Sequence, residues 1–412
     1  MEKLNLDSAK KSETFLDLYL QYATEQTDAP RIFHEYLAYF ILSSVIGKNI
    51  HTKFGYKILY PNLYLLLIAP SSIHRKSWSQ NMAIQLIKRI HKDIMIPDCS
   101  SRESFIAEMA DQNRIPFQTG ILKIDEFKGF MDRMKNNSYF SGFIQDLSSL
   151  YDSDPIRRRK GIDKVEYYDI SDPFLNITSS CSFDWLTKAI QSSDISGGFL
   201  ARFIWVVSND LITNPAAWPK FANEDKRSKL IGMLQNISDD TVGRIIDFSN
   251  AEHKWEEWYK TFYSNHQGGM WDANYHRMAI IIRKLAMLNC VMRYQAKQLP
   301  EMKPGIYYAN DQDVEGATQL GEKSIASLET IQIGEGRFNL HMKKTLQIII
   351  KRATNLTGCP HNFVQQHTKV SSHIMDQVIR SLKDMDLILV ENGPRGGKVY
   401  KPKSGAEGWI LS

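Results

Sequence analysis

The sequence predicts an α/β protein. Its core is a doubly wound parallel sheet, flanked by helical regions, with a separate module at the C-terminal end. Three observations carry this. Short apolar runs of strand length recur four times with helical segments between them, as in sheets buried on both faces. A 3.6-residue apolar period dominates the segments on either side of that core. Positive charge is concentrated in one place: residues 341–403 hold 11 Lys/Arg against 4 Asp/Glu, whereas the rest of the 412-residue chain nets −2 and the whole chain +5. Such asymmetry suits an appended nucleic-acid-binding module, or simply a solvated basic face.

Taken in chain order, Phe15, Leu18, Tyr19 and Tyr22 fall at helical spacing, as do Phe33, Tyr36, Leu37, Phe40 and Ile41 after a break near Pro30. Residues 1–50 are therefore expected to be a helical region. The alternation over 50–60 suggests a strand or hairpin. Leu63–Ile68 is the first buried strand, and Ser77–Asp93 has the period of a crossover helix. Ile121–Ile124, Phe174–Ile177 and Phe203–Val207 are the next three strands, so that residues 51–250 form the core. From 251 to 336 the pattern is again helical, a lid interrupted near Gly268-Gly269 and at Pro300–Gly305. Residues 337–412 read helix, short helix, helix, strand, Gly-rich turn, strand, the order of a winged helix.

Several classes are excluded early. The longest clean apolar run, Leu63–Ala69, is far short of the roughly 20 residues a membrane span needs. The N-terminal MEKLNLDSAKKSE has no apolar leader segment, and Cys99, Cys181, Cys290 and Cys359 lie far apart with no CxxC pair. A reducing cytoplasm is the expected location. His341, His361, His367 and His373 have no metal-ligand spacing, and no GxSxG or Cys/His pairing marks a hydrolytic nucleophile.

Chemistry is concentrated around the first strand. It runs into Ala69-Pro70-Ser71-Ser72-Ile73-His74-Arg75-Lys76-Ser77, where a phosphate-binding loop would sit. Backbone N–H groups at such a helix start converge on an anion, a Lys reaches the β/γ-phosphates, and a Ser hydroxyl ligates Mg2+. Lys76 and Ser77 suit those roles, with Ser71, Ser72 and Arg75 lining the loop. The loop has no glycine: Ala69 stands near the first glycine's place and Arg75 replaces the glycine before the lysine. The plainer alternative is an ordinary strand–helix connection.

About 50 residues on, Ile121-Leu122-Lys123-Ile124-Asp125-Glu126 is an apolar strand ending in two carboxylates, the form of a Walker B element. Asp125 would complete the Mg2+ site and Glu126 would polarise the attacking water. Both elements in this order point to a P-loop NTPase that uses ATP and Mg2+. Ser179, at the end of the third strand, is a candidate sensor of the terminal phosphate. Arg202, just before the fourth, is either an arginine finger reaching a neighbouring subunit's nucleotide or a surface Arg. Arg283 is either a second nucleotide-sensing arginine or part of a solvated helix face.

At this point the chain resembles a family of P-loop ATPases of phages, plasmids and integrated elements, AAA+-like and related to hexameric replicative helicases. The resemblance rests on Pro61–Leu67 running into Ser71 and Arg75-Lys76-Ser77, on Ile124–Phe127, and on Gly198-Phe199-Leu200-Ala201-Arg202-Phe203-Ile204-Trp205. It covers about residues 15–330. The family's loop often carries Arg-Lys, although this chain lacks glycines at Ala69 and Ser72 that relatives usually keep. The resemblance implies a helicase-like motor of a mobile element, assembled as a ring, a hexamer in the related helicases. It would act on single-stranded DNA during replication, beside a primase or polymerase.

The four cations Arg157, Arg158, Arg159 and Lys160 lie between the second and third strands. They suit a hairpin tracking a phosphate backbone, with Tyr167 and Tyr168 able to stack bases, or else a solvated charge run. In the C-terminal module, Lys369, Ser372, His373, Arg380, Arg395 and Lys398 are the candidate contacts to duplex DNA, although winged helices also dock proteins. A second hypothesis stands beside the motor: a DNA-binding replication initiator or helicase loader in which nucleotide binding only drives assembly.

Overall fold

A computed structural model describes residues 13–70, 74–97, 99, 101–111, 118–160, 166–182, 186, 198–208, 220–266, 271–299, 303–329, 335–353, 358–368, 372–393, 397–403 and 406; of residues 135, 136, 335–340, 372–374, 377 and 384 it describes the backbone only. The described residues fall into two compact units, one within 13–329 and one within 335–406.

The first unit is α/β and is built on two sheets. Two helices lead, α1 (Phe15–Thr24) and α2 (Arg31–Ile46). Thr14 and Asp17 close a reciprocal capping box on α1, which satisfies two N–H groups the helix itself leaves open. After β1 (Ile50–Phe54) and β2 (Lys57–Leu59) comes β3 (Tyr64–Ile68), every residue of which is buried. α3 (Lys76–Ile90) and α4 (Arg102–Met109) lead to β4 (Thr119–Ile124), then α5 (Phe127–Asn136) and α6 (Phe143–Tyr151). The hairpin β5 (Ile156–Arg159) and β6 (Tyr167–Ile170) precedes β7 (Phe174–Cys181), and β8 is Phe203–Val207.

The parallel sheet has the order β4-β7-β3-β8. A single bridge from Met95 to Ile121 extends it beyond β4. Its two faces can be read from register. Asn176 and Thr178 of β7 face α2 and α3: the Asn176 amide donates to Ser44 (2.9 Å) and its oxygen accepts from Ser43 (3.1 Å), while Gln80 donates to Thr178 (2.9 Å). Tyr64 and Phe203, paired across β3 and β8, face α5 and α6 through Phe127 and Tyr151. The sheet is thus covered on both sides, which is why its strands read as unbroken apolar runs.

The chain continues through α7 (Glu224–Asp240), β9 (Arg244–Asp247), α8 (Glu252–Asn265), α9 (Asp272–Lys297), β10 (Ile306–Tyr308) and α10 (Asp311–Glu329). The segment expected to be a purely helical lid contains β10, which joins a second, mixed sheet of order β10-β9-β1-β2. β1 and β2 pair antiparallel as the hairpin that the alternation over 50–60 suggests, whereas β9 and β10, four and three residues long with no apolar run, are announced by no pattern. α10 covers the edge of the parallel sheet. Ser324 donates to the Trp205 carbonyl (2.9 Å) and accepts from the Trp205 N–H (3.1 Å), satisfying an edge strand that would otherwise invite pairing. Gly142, at φ +77, starts α6, and a side chain there would collide with the Arg102 guanidinium. That guanidinium is spent on Asp146, a second bond reaching the Ser141 carbonyl at 2.6 Å.

In the second unit α11 (Glu335–Arg352), α12 (His361–Thr368) and α13 (Ser372–Asp384) are followed by β12 (Ile388–Asn392) and β13 (Lys398–Pro402). The two-residue β11 (Cys359–Pro360), absent from the sequence reading, completes a sheet of order β11-β13-β12. Leu346, Ile349, Val364, Val378, Leu382 and Tyr400 form its core. Gly358 is required: a Cβ there would lie 2.8 Å from the Tyr400 carbonyl.

Candidate functional site

The site begins where β3 ends. Ala69 is still tied to the sheet, its N–H reaching the Cys181 carbonyl at 3.4 Å, and residues 71–73, with the candidates Ser71 and Ser72, lie outside the described residues. Arg75 takes a left-handed conformation, φ 46 and ψ 36, immediately before α3. A glycine meets that requirement without cost, so the expected glycine position is here a non-glycine residue in a glycine's conformation. The Arg75 Nε donates to Asp28 (2.7 Å), and its guanidinium lies 5.1 Å from the Trp78 ring, so side-chain contacts offset the backbone cost.

Lys76 opens α3 and folds back over the strand end. Its Nζ donates to the carbonyls of Ala69 (2.8 Å) and Pro70 (2.9 Å). Half-burial pushes the Lys76 ammonium below the usual lysine range. The neighbouring Cys181 thiol is pushed up to about 12 by burial. Ser77 is exposed beside it.

The two carboxylates stand on the same edge. Asp125 and Glu126 follow β4 directly and both are exposed. β7 lies between β4 and β3, and register sets Ile124 beside Ser179 and Ser179 beside Leu66. At about 4.8 Å per strand, the backbones of Ala69 and Glu126 are roughly 10 Å apart across this edge. Asp125 pairs with Lys123, two residues back on the same face of the strand. Ser179 is fully buried and its hydroxyl is spent on the Ile124 carbonyl (2.9 Å), so it ties β7 to β4. A cavity of about 420 Å³ opens beside Asp125 and Glu126, walled by Phe105, Phe130 and Phe143; Lys76 and Ser77 do not line it.

Arg202 lies at the opposite end of the sheet, before the first residue of β8. It is neither exposed nor directed outward: 9% accessible, it donates to Asp152 (2.7 Å) and to the Gly198 carbonyl (2.8 Å). Arg283 is neither at the loop nor on a solvated face. Its guanidinium stacks 3.6 Å from the Phe248 ring and 5.0 Å from Trp255, and burial lowers it to about 10. The next residue, Lys284, is the one that reaches the sheet, donating to Asn62 Oδ1 (2.8 Å) just before β3. Sequence reasoning missed Lys284, Arg277 and Asp152. An unusual cation inside the apolar run Ile280–Leu285 is the signal that could have found the first.

Strand alternation divides the cationic run. Arg157 and Arg159 are exposed on one face of β5, while Arg158 turns inward to Asp146 (3.6 Å). Arg157 lies 4.6 Å from the Tyr167 ring and Lys160 5.0 Å from Tyr168; the tip, 161–165, is outside the described residues. In the second unit Arg380 on α13 and Lys398 at the start of β13 are exposed. Ser372 and His373 belong to the first turn of α13, their side chains undescribed, and Lys369 and Arg395 lie outside the described residues.

The fold defines the class as α/β, with one parallel and one mixed sheet. No protein-family model matches the chain, and no curated protein matches it. Among the described residues no helix is long and apolar enough to cross a membrane, and no group of three or more His, Cys, Asp or Glu could hold a metal ion.

Proposed function

We propose that the chain is an ATP-dependent DNA motor: a P-loop, AAA+-like ATPase core with a C-terminal winged helix, akin to the replicative helicases of mobile elements. The observation that carries this reading is the shared edge. The Lys76 side chain, folded back over the end of β3, and the Asp125–Glu126 pair that follows β4 sit at two strands of one parallel sheet, separated by the single strand β7, at the carboxyl end where ligands of open α/β sheets bind. The donor set fits a nucleotide phosphate with Mg2+. The Lys76 ammonium rests on two neutral carbonyls, which a phosphate oxygen would outbid; the Ser77 hydroxyl is exposed next to it and the Asp125 carboxylate is exposed across the same sheet edge. Lys76 would hold the phosphates, Ser77 and Asp125 the metal, and Glu126 would orient water. ATP supplies the phosphoanhydride bond whose hydrolysis drives motion.

Arg202 as an arginine finger acting on a second copy requires release from Asp152. The exposed Arg157 and Arg159 would track single-stranded DNA. The unit of α11–α13 with the β11-β13-β12 sheet supports the winged helix, with Arg380 and Lys398 toward duplex DNA. Ring assembly and a primase or polymerase partner follow from the resemblance alone. The glycine-free loop and the Lys123–Asp125 pair favour the second reading, an initiator or loader in which nucleotide serves assembly.

ATP hydrolysis measured with and without single-stranded DNA decides between them. The motor requires DNA-stimulated turnover that falls at least 100-fold in Lys76→Ala and in Glu126→Gln. No turnover, with DNA binding intact, leaves the initiator or loader.

A further inference from the structure

At the end of the parallel sheet away from Lys76, three cations gather on one carboxylate. Asp152 accepts from Arg202 (2.7 Å) and from Arg277 NH1 (3.3 Å), and Lys284 lies fully buried alongside, 3.7 Å from the Tyr151 ring. Burial alone would push the Asp152 carboxyl up. The hydrogen bond from Arg202 and the charges of Arg202, Arg277 and Lys284 outweigh it and hold the carboxyl below the usual range. Burial drives Lys284 well below its ordinary value, so it can shed its charge, but a guanidinium cannot. Even with Lys284 neutral, two fixed positive charges face the one carboxylate that pairs with them among the described residues.

The cluster is also short of acceptors. Arg202 Nε and Tyr151 Oη are buried with no hydrogen-bond partner, and Arg277 makes one long bond through NH1, leaving Nε and NH2 unused among the described residues. An excess of donors and an excess of positive charge have the same remedy, an oxyanion. Space for one exists. A cavity of about 500 Å³ is lined by Phe54, by Gly55 and Tyr56 of the β1–β2 turn, by Lys57 and Leu59 of β2, and by Asp152, Arg277 and Ile280. Of the cluster only Asp152 and Arg277 line it, so the spare donors it receives are those of Arg277. Arg277 is 29% exposed there, and Tyr56 on the rim is 93% exposed.

We infer that the cavity between the β1–β2 turn and the start of α9 is an oxyanion site that takes a phosphoryl group, with Arg277 and Lys57 as its ligands. Asp152, which lines the same cavity, holds Arg277 through NH1 and leaves its remaining donors unused. The phosphoryl group has two possible sources: free inorganic phosphate, or the nucleotide carried by a second copy of the chain. The site itself stands without the nucleotide reading; only the second source rests on it.

Titration of the full chain with inorganic phosphate, followed by calorimetry and by the shift in melting temperature, tests the site. In a Lys76→Ala background, which removes the phosphate ligand at the other end of the sheet, Arg277→Gln weakens binding at least tenfold and Arg277→Lys recovers part of it. Lys57→Gln, at an exposed position that opens β2, weakens it severalfold. Phosphate binding unchanged in both Arg277→Gln and Lys57→Gln overturns the proposal. Mixing Arg277→Gln with Lys76→Ala then separates the sources. Restored ATP hydrolysis assigns the phosphoryl group to a second copy's nucleotide, and phosphate binding without restoration assigns it to free phosphate.

Discussion

The two ends of the parallel sheet treat their polar groups in opposite ways. At the carboxyl end, Asp125, Glu126 and Ser77 are exposed, and Lys76 rests on backbone carbonyls. At the amino end, Lys284 donates to Asn62 and Arg202 to Asp152, with the rings of Tyr64 and Tyr151 packed on each other nearby. The difference teaches where strength and chemistry are separated. Groups held loosely near water cost little stability and can exchange partners for a ligand. Groups locked in low dielectric hold elements together, because an unpaired charge there is expensive.

The comparison breaks most visibly at Asp152. Asp152→Asn takes from two guanidiniums the carboxylate they share and should cost about 3–5 kcal/mol in denaturant unfolding, the usual size for removing one partner of a buried pair. Lys76→Ala, at the exposed end, should cost less than about 1 kcal/mol in the same assay. Equal losses at the two ends would refute the distinction.

Acid should act through buried groups. His34 on α2 is buried beside Tyr19, with its Nε2 unpartnered, and burial depresses it from 6.5 to about 4. The fold therefore favours the neutral ring, and its contribution is complete above pH 6.5 and is lost as pH falls toward 4. The loss amounts to roughly 3 kcal/mol. The stability advantage of wild type over His34→Phe should shrink by that amount across the window; a constant advantage would exclude His34 as the cause.

A smaller effect sharpens the picture beneath the cationic hairpin. Gly142→Ala forces a side chain into a left-handed position against Arg102 and should cost about 1–3 kcal/mol. The smallest effect belongs to the exposed end. Lys123→Met releases Asp125, should leave unfolding within about 0.5 kcal/mol, and should lower the Mg2+ concentration for half-maximal turnover about twofold, the scale of an exposed ion pair.

Much of this contrast was legible at one end only. β3, β4, β7 and β8 were readable because each is buried on both faces, and Lys76, Asp125 and Glu126 because each directly follows such a run or its loop. β9 and β10 were not, since three or four residues of mixed character carry no period. The Asp152 cluster was not, because its members come from 62, 152, 202, 277 and 284 and only folding brings them together. Arg283 and Lys284 show the limit most sharply. Adjacent on one helix, one stacks in an aromatic cage against the mixed sheet and the other bonds to the chain entering β3.

The strands of the parallel sheet, the loop and carboxylate pair at one edge, the cationic hairpin and the separate basic module are readable from the order of amino acids. All of these are local patterns of burial, charge or turn residues. Tertiary structure alone decided which way Arg202 and Arg158 turn, that Ser179 is spent on a carbonyl, and that Arg277 and Lys284 meet Asp152. The physical reason is that pairing a buried charge is a long-range condition. It depends on which helix crosses which strand, and no local pattern encodes that crossing.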